Sequence, residues 1–257
     1  MRFLLGFWIS IAFSSAYLNA APPAVPILVY HRFGPVRADS MTVTTEHFKE
    51  QIDLLRESNF SVVSLADFIS WKLGARPALP HRAVVLTFDD GPESVYTDAR
   101  PIIIRSRIPV TLFIYPSCIS HASYAMTWGQ LSELAATSLF DVESHTYWHP
   151  NFKQEEKKLD RDAYAAFVGM QLEKSKSLLE HNLARPVNLL AWPFGIYDSY
   201  LMNRANALGY HAGFSIECRA ATTSDPIMAI PRCLVSDEDV RDRFLRLLDT
   251  AIRNAKN

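Results

Sequence analysis

Ala83-Val84-Val85-Leu86-Thr87-Phe88-Asp89-Asp90-Gly91-Pro92 is the stretch on which the reading of this chain turns. Its first six residues form a nearly continuous apolar run. That pattern belongs to a strand buried on both faces, as in a parallel sheet, rather than to one with a wet side. The run stops at two adjacent carboxylates. Neighbouring side chains on an extended segment point to opposite sides, so one carboxylate can serve a metal while the other stands beside it as a base. Gly91 permits a sharp turn there and Pro92 ends strand pairing.

Outward from this strand, apolar runs alternate with amphipathic stretches. Strands are expected at residues 25–30, 60–65, 110–115, 140–143 and 187–191. Helices are expected at 66–73, 95–105, 127–136, 155–181 and 199–208, with a last one beginning near Asp237. A loop is expected from His31 to Thr42. Thr44 then reads as an N-cap, with Glu46 in the first turn and Phe48, Ile52 and Leu55 at helical spacing. Strands alternating with helices imply a mainly parallel sheet, open or closed into a barrel. Ligands gather at the carboxyl ends of such strands. The polar clusters stand at those ends: His31, Asp89-Asp90, His145 to His149, and the turn at Pro193.

Two of these clusters carry chemistry together. His145-Thr146-Tyr147-Trp148-His149 offers two imidazoles that meet one ion if the segment is a helical turn. Added to a carboxylate, two histidines make a ligand set with open positions, suited to metal-assisted hydrolysis or non-haem iron chemistry. The third cluster, Ala191-Trp192-Pro193-Phe194-Gly195, is a tight turn after a strand, where a backbone N–H can donate to a developing oxyanion.

These segments resemble the polysaccharide deacetylase family, the carbohydrate esterases that share the NodB homology domain. Residues 87–91 match its T-F-D-D-G motif and residues 145–149 its H-[ST]-x-x-H motif. Residues 191–195 match R-x-P-[FY]-G except that Ala191 stands for the arginine. The resemblance spans roughly residues 25 to 235 and implies an α/β fold, a distorted (β/α) barrel of about seven strands. It implies Asp89 as general base and Asp90, His145 and His149 as ligands of a divalent metal, zinc first, with cobalt, nickel or iron also suited. It assigns the Phe194 N–H to the oxyanion. The motif arginine that orients the base is missing, and Arg32, Arg219 or Arg232 would have to replace it; Arg232 is preferred. The family's late histidine, a general acid, is also missing, since no histidine follows His211. Either another group then protonates the leaving amine or metal-bound water does so through Asp89; His31 is the candidate group, as acid or as support to the site, its other reading being a strand-end histidine bonded to backbone. Tyr30-His31-Arg32-Phe33 and the altered third motif resemble the branch acting on poly-N-acetylglucosamine. Peptidoglycan or chitooligosaccharide deacetylation is the alternative substrate reading, and a sugar-binding pseudoenzyme the alternative class. Tyr147, Trp148, Trp192 and Tyr197 are aromatics able to stack on sugars or to pack in the core.

Composition narrows the partners. With 49% hydrophobic and 21% charged residues the chain is of ordinary globular type. A net charge of −1 excludes a basic nucleic-acid footprint, and a polysaccharide or oligosaccharide is the expected partner. The apolar run after Met1-Arg2, ending in small residues near Ala20-Ala21, reads as a signal peptide over 1–20, with a single domain over 21–257. The protein is then expected in the periplasm or secreted, with no stable membrane span after cleavage. Of the 3 cysteines, Cys218 and Cys233 are either paired or, like Cys118, free thiols.

Overall fold

The computed structural model describes residues 23–255, so the expected signal segment over 1–20 lies outside the described residues. Along the chain come β1 (Ile27–Tyr30), β2 (Arg32–Gly34), β3 (Thr42–Thr44), α1 (Thr45–Glu57), β4 (Ser61–Val62), α2 (Leu65–Lys72) and β5 (Ala83–Asp90). A π-helical turn (Val95–Ala99) runs into α3 (Arg100–Ser106), followed by β6 (Val110–Ile114), α4 (Trp128–Ala135) and β7 (Phe140–Ser144). Then come α5 (Phe152–Glu156), α6 (Arg161–Leu183), β8 (Leu189–Ala191), a 3-10 turn (Pro193–Gly195), α7 (Ser199–Ala207), β9 (Ala212–Phe214), β10 (Cys233–Leu234) and α8 (Asp242–Arg253). No helix among the described residues is long and apolar enough to cross a membrane.

The sheet runs β10–β1–β5–β6–β7–β8–β9, with every pairing parallel, and β4 adds to β5 off this path. It curls into an incomplete barrel of the expected seven strands. The segment 227–235 spans the remaining gap. At one end Gly213 N–H donates to Ile227 O, and Ser215 N–H donates to Ile230 O. At the other, Val235 N–H donates to Val29 O. Strand periodicity sorts the side chains into two layers. Ile27, Val85, Phe113, Leu189, Ala191 and Phe214 fill the barrel. Leu28, Leu86, Leu112, Ile114 and Trp192 face outward onto Phe48, Ile103, Leu131 and Leu172 of the surrounding helices.

Several expectations shift at their edges, each for a local reason. The expected loop from His31 to Thr42 contains β2 and β3, which pair with each other. Thr44 does cap α1, accepting from His47 N–H. The long helix expected over 155–181 is two helices, because the Asp160 carboxylate accepts from Ala163 N–H and restarts the chain as α6. The last helix begins at Asp242 rather than near Asp237. Asp237 instead accepts from Thr44 N–H and pairs with His47. Strands β9 and β10 were not expected, being too short to show periodicity. Glu143 ends the β7–β8 ladder: its Oε2 accepts from Asn188 and Leu189 N–H, doing for β8 what a strand backbone would do.

Gly213 sits where two walls of the barrel meet. A Cβ there would lie 2.5 Å from Met228 O and 2.7 Å from Trp192 Nε1, the two atoms that hydrogen-bond each other. Gly213→Ala is expected to destabilise the protein by about 1–3 kcal/mol through forced separation of these groups. Denaturant unfolding of the two proteins measures it, and an unchanged midpoint would contradict this account of barrel closure.

Candidate active site

Strand β5 delivers both aspartates, but to different environments. Asp89 is 2% exposed and points into the barrel. Arg232, fully buried, meets it in a two-pronged pair: Nη1 donates to Oδ1 and Nη2 to Oδ2, each at 2.8 Å. Two further contacts hold the guanidinium. Nε donates to Ser215 O and Nη1 also to the Thr87 hydroxyl, with the plane 5.1 Å from the centre of the Phe113 ring. Burial pushes the Asp89 carboxyl up, but the Arg232 charge and then His145 outweigh it and hold it at about 2. Asp89 is therefore ionised at any working pH.

Asp90 leaves the strand in a left-handed conformation (φ 74). Its carboxyl turns away from Arg232 and toward the histidine loop. Its Oδ1 lies 3.7 Å from His145 Nε2 and 3.8 Å from His149 Nε2. That Oδ1 is buried and has no hydrogen-bond partner among the described residues. Burial raises the Asp90 carboxyl above the usual range. A buried carboxylate oxygen without a donor is costly to leave so. The three ligand atoms of Asp90, His145 and His149 lie within 4.8 Å of one another.

The imidazoles are presented in the form a cation needs. His145 Nδ1 stands 2.7 Å from the Ala191 carbonyl. A carbonyl only accepts, so Nδ1 carries the proton and Nε2 turns its lone pair to the site. Burial lowers the His145 imidazole to about 3 and lowers His149 as well, so both are neutral. Asp, His and His with a fixed tautomer and an unpartnered carboxylate oxygen fit a divalent cation. The histidines do not meet through a helical turn, as the spacing suggested. Residues 145–149 form a loop with Thr146 and His149 at φ 64 and 63. Ser144 Oγ and Gln171 Oε1 accept from Thr146 and Trp148 N–H and hold that loop.

The remaining expected residues divide. Phe194 is left-handed (φ 56, ψ 16) in the turn after β8, and its ring centre lies 4.6 Å from that of His149. Its N–H has no acceptor among the described residues. His31, directly after β1, is half-buried beside the acids, and its Nδ1, itself buried, has no partner among the described residues. Burial lowers it, against the pull of Asp89 and Asp90. Arg32 and Arg219 do not reach Asp89; they pair with Asp39 and Asp225. Of the four aromatics only Trp148 stands well exposed beside the site, at 50%. Trp192 is core, Tyr147 lies under Lys174, and Tyr197 donates to Glu217. Sequence reasoning did not find Thr87, Ser215, Gln171 or the Ala191 carbonyl as supports. Their roles rest on contacts distant in sequence.

The polysaccharide deacetylase model matches residues 76–213. The poly-β-1,6-N-acetyl-D-glucosamine N-deacetylase of Staphylococcus epidermidis is 28% identical over 209 residues, covering 80% of this chain and 72% of that protein. The enzyme of the same name from Staphylococcus aureus strain MRSA252 is 28% identical, covering 77% and 69%. Among solved structures, the Streptococcus pyogenes deacetylase PplD in complex with acetate superposes with a TM-score of 0.76 at 21% identity, covering 88% of this chain and 99% of that one. IcaB from Ammonifex degensii superposes at 0.74 with 22% identity, covering 88% and 97%. The chain belongs to the polysaccharide deacetylase family and is a hydrolase of that class.

The Asp89–Arg232 pair makes a measurable claim. Arg232→Met strands an ionised carboxylate in the barrel and is expected to cost about 3–5 kcal/mol. Combined with Asp89→Asn, part of that loss should be recovered, because the stranded charge is gone. A double-mutant cycle in denaturant tests this; strictly additive losses would mean the two side chains are not coupled.

Proposed function

We propose that the protein is a divalent-metal-dependent N-deacetylase of N-acetylhexosamine units in an exported polysaccharide of the poly-β-1,6-N-acetylglucosamine type. The observation that carries this is the unpartnered, buried Asp90 Oδ1 facing two imidazole Nε2 atoms, beside an ionised Asp89. The substrate class rests on the named Staphylococcus relatives, which align over most of this chain. Export is supported by the apolar N-terminal pattern and by the Cys218–Cys233 disulfide, which suits an oxidising compartment.

Asp90, His145 and His149 would hold the cation, zinc being the first candidate. A divalent cation bound there supplies Lewis acidity to an acetyl carbonyl and to a water. Asp89 receives a proton from the attacking water. Its two oxygens each keep a lone pair while Arg232 fixes their direction. A carboxylate held so low is a weak base, and orientation rather than basicity is its contribution. The Phe194 N–H donates to the oxyanion as the carbonyl carbon becomes tetrahedral. The C–N bond then breaks, acetate departs with the water oxygen, and the amine nitrogen takes a proton. That proton is the one Asp89 took from the water, and we assign its relay to His31, because its buried Nδ1 lacks a protein partner among the described residues and it lies in the field of both aspartates.

Acetate release from a β-1,6-linked N-acetylglucosamine oligomer is the test. Release should stop with a chelator and return with zinc or cobalt; no release from any N-acetylated glycan by metal-loaded protein would sink the proposal. Asp89→Asn should lower turnover by about 10²–10⁴ and His31→Ala by about 10², within the range of general acid–base catalysis. Elemental analysis should find the cation still bound in both variants and lost in His149→Ala. Loss of cation from Asp89→Asn would instead make Asp89 a ligand and reverse the two aspartates' roles.

A further inference from the structure

We propose that the Cys218–Cys233 disulfide is a positioning element of the active site, holding the Arg232 guanidinium against Asp89. The inference rests on the reading of Asp89 as the proton acceptor.

Arg232 is borne by weak local structure. It precedes β10, a strand of two residues whose ladder with β1 has two register pairs, Leu28 with Cys233 and Val29 with Leu234. Leu234 is itself partly exposed, at 39%. At its other end the side chain depends on the Ser215 carbonyl, the acceptor of its Nε. Ser215 and Arg232 thus belong to two segments that must stay in register for the guanidinium to present both prongs to Asp89. The disulfide joins those segments across 15 positions. One half-cystine follows Ser215 by three residues and the other directly follows Arg232.

The same segment supports the Phe194 turn. Gly195, at φ 64, packs so closely on Ile216 that a Cβ would lie 2.5 Å from Ile216 Cγ1 and 3.0 Å from Ile216 N. Residues 215–218 therefore lie between the turn that carries the Phe194 N–H and the bond that ties them to Cys233. None of the cation ligands lies in either tied segment; Asp90 ends β5, and His145 and His149 lie in the loop after β7.

Opening the bond need not unfold the loop between the two cysteines. Arg219 pairs with Asp225 at 2.6 Å, and Lys72 Nζ donates to the Thr222 and Asp225 carbonyls at 2.9 and 2.6 Å. Val25 N–H donates to Ala221 O at 2.8 Å. These contacts are independent of the sulfurs. The expected effect of reduction is loss of alignment at Asp89 with the fold and the cation site intact.

The experiment reduces the metal-loaded protein with a phosphine, chosen so that no thiol competes for the cation. The phosphine takes up the oxygen of one water and becomes its oxide, and the disulfide becomes two thiols. Alkylation should count one thiol before, Cys118, and three after. The expected result is a fall in kcat of about tenfold with KM within twofold, unchanged far-UV circular dichroism and unchanged bound cation, reversed by reoxidation. Cys218→Ser/Cys233→Ser should reproduce it. In an Arg232→Lys background reduction should cost less than about twofold, since the group it positions is already gone. Independently of turnover, the Arg232 guanidinium protons should exchange with solvent at least about tenfold faster after reduction. Full activity with three thiols, an equal loss in the Arg232→Lys background, or a loss that appears only together with the dichroism signal would overturn the proposal, as would unchanged guanidinium exchange. If the oxidised protein releases no acetate, the proposed function fails, and the exchange measurement still decides the disulfide's role.

Discussion

A single buried guanidinium decides how two adjacent carboxylates behave. Asp89 and Asp90 leave the same strand end, and taking both out of water as bare anions would cost several kcal/mol each. Arg232 neutralises one of them with both prongs and leaves the other alone. The result is two environments one residue apart. Asp89 is held ionised and fixed in direction, and Asp90 is left short of a partner that a cation can supply. Without that pairing Asp89 would be a buried carboxylate lacking its main counter-charge.

Backbone strain accompanies this arrangement. Asp90, Thr146, His149 and Phe194 all have φ between 56 and 74, one or more in each of the three site segments. A non-glycine residue there costs on the order of 1–3 kcal/mol and persists only where its surroundings over-determine it. Those surroundings are visible. The β5–β6–β7 ladder fixes the strand ends, Ser144 and Gln171 hold the histidine loop, and Ile216 packs against the Phe194 turn. Rigid strands carry turns that bring Asp90, His145 and His149 together, with the Phe194 ring against His149.

The barrel and the Asp-His-His cluster were legible in the sequence because both follow from short-range patterns. Alternating strands and helices predict a parallel sheet, and the T-F-D-D-G and H-T-x-x-H segments carry a specific resemblance. The way the histidines converge was not legible. Spacing of four suggests a helical turn, whereas Ser144 and Gln171, accepting from the Thr146 and Trp148 N–H groups, hold a loop with two left-handed residues. The short strands β9 and β10 were also missed, since two or three residues show no period.

What the sequence by itself determined is the set of reactive groups and the strand ends that bear them. Residue type and near-neighbour spacing are enough for that. What only the tertiary structure decided is which groups support them. Arg232 reaches Asp89 across 143 positions because the segment before β10 closes the barrel beside β1. Ala191, where the family motif has its arginine, lies buried in the interior cluster that includes Phe113, the ring beneath the Arg232 guanidinium. Closure of the sheet is a property of the whole chain's packing, so no local pattern records it.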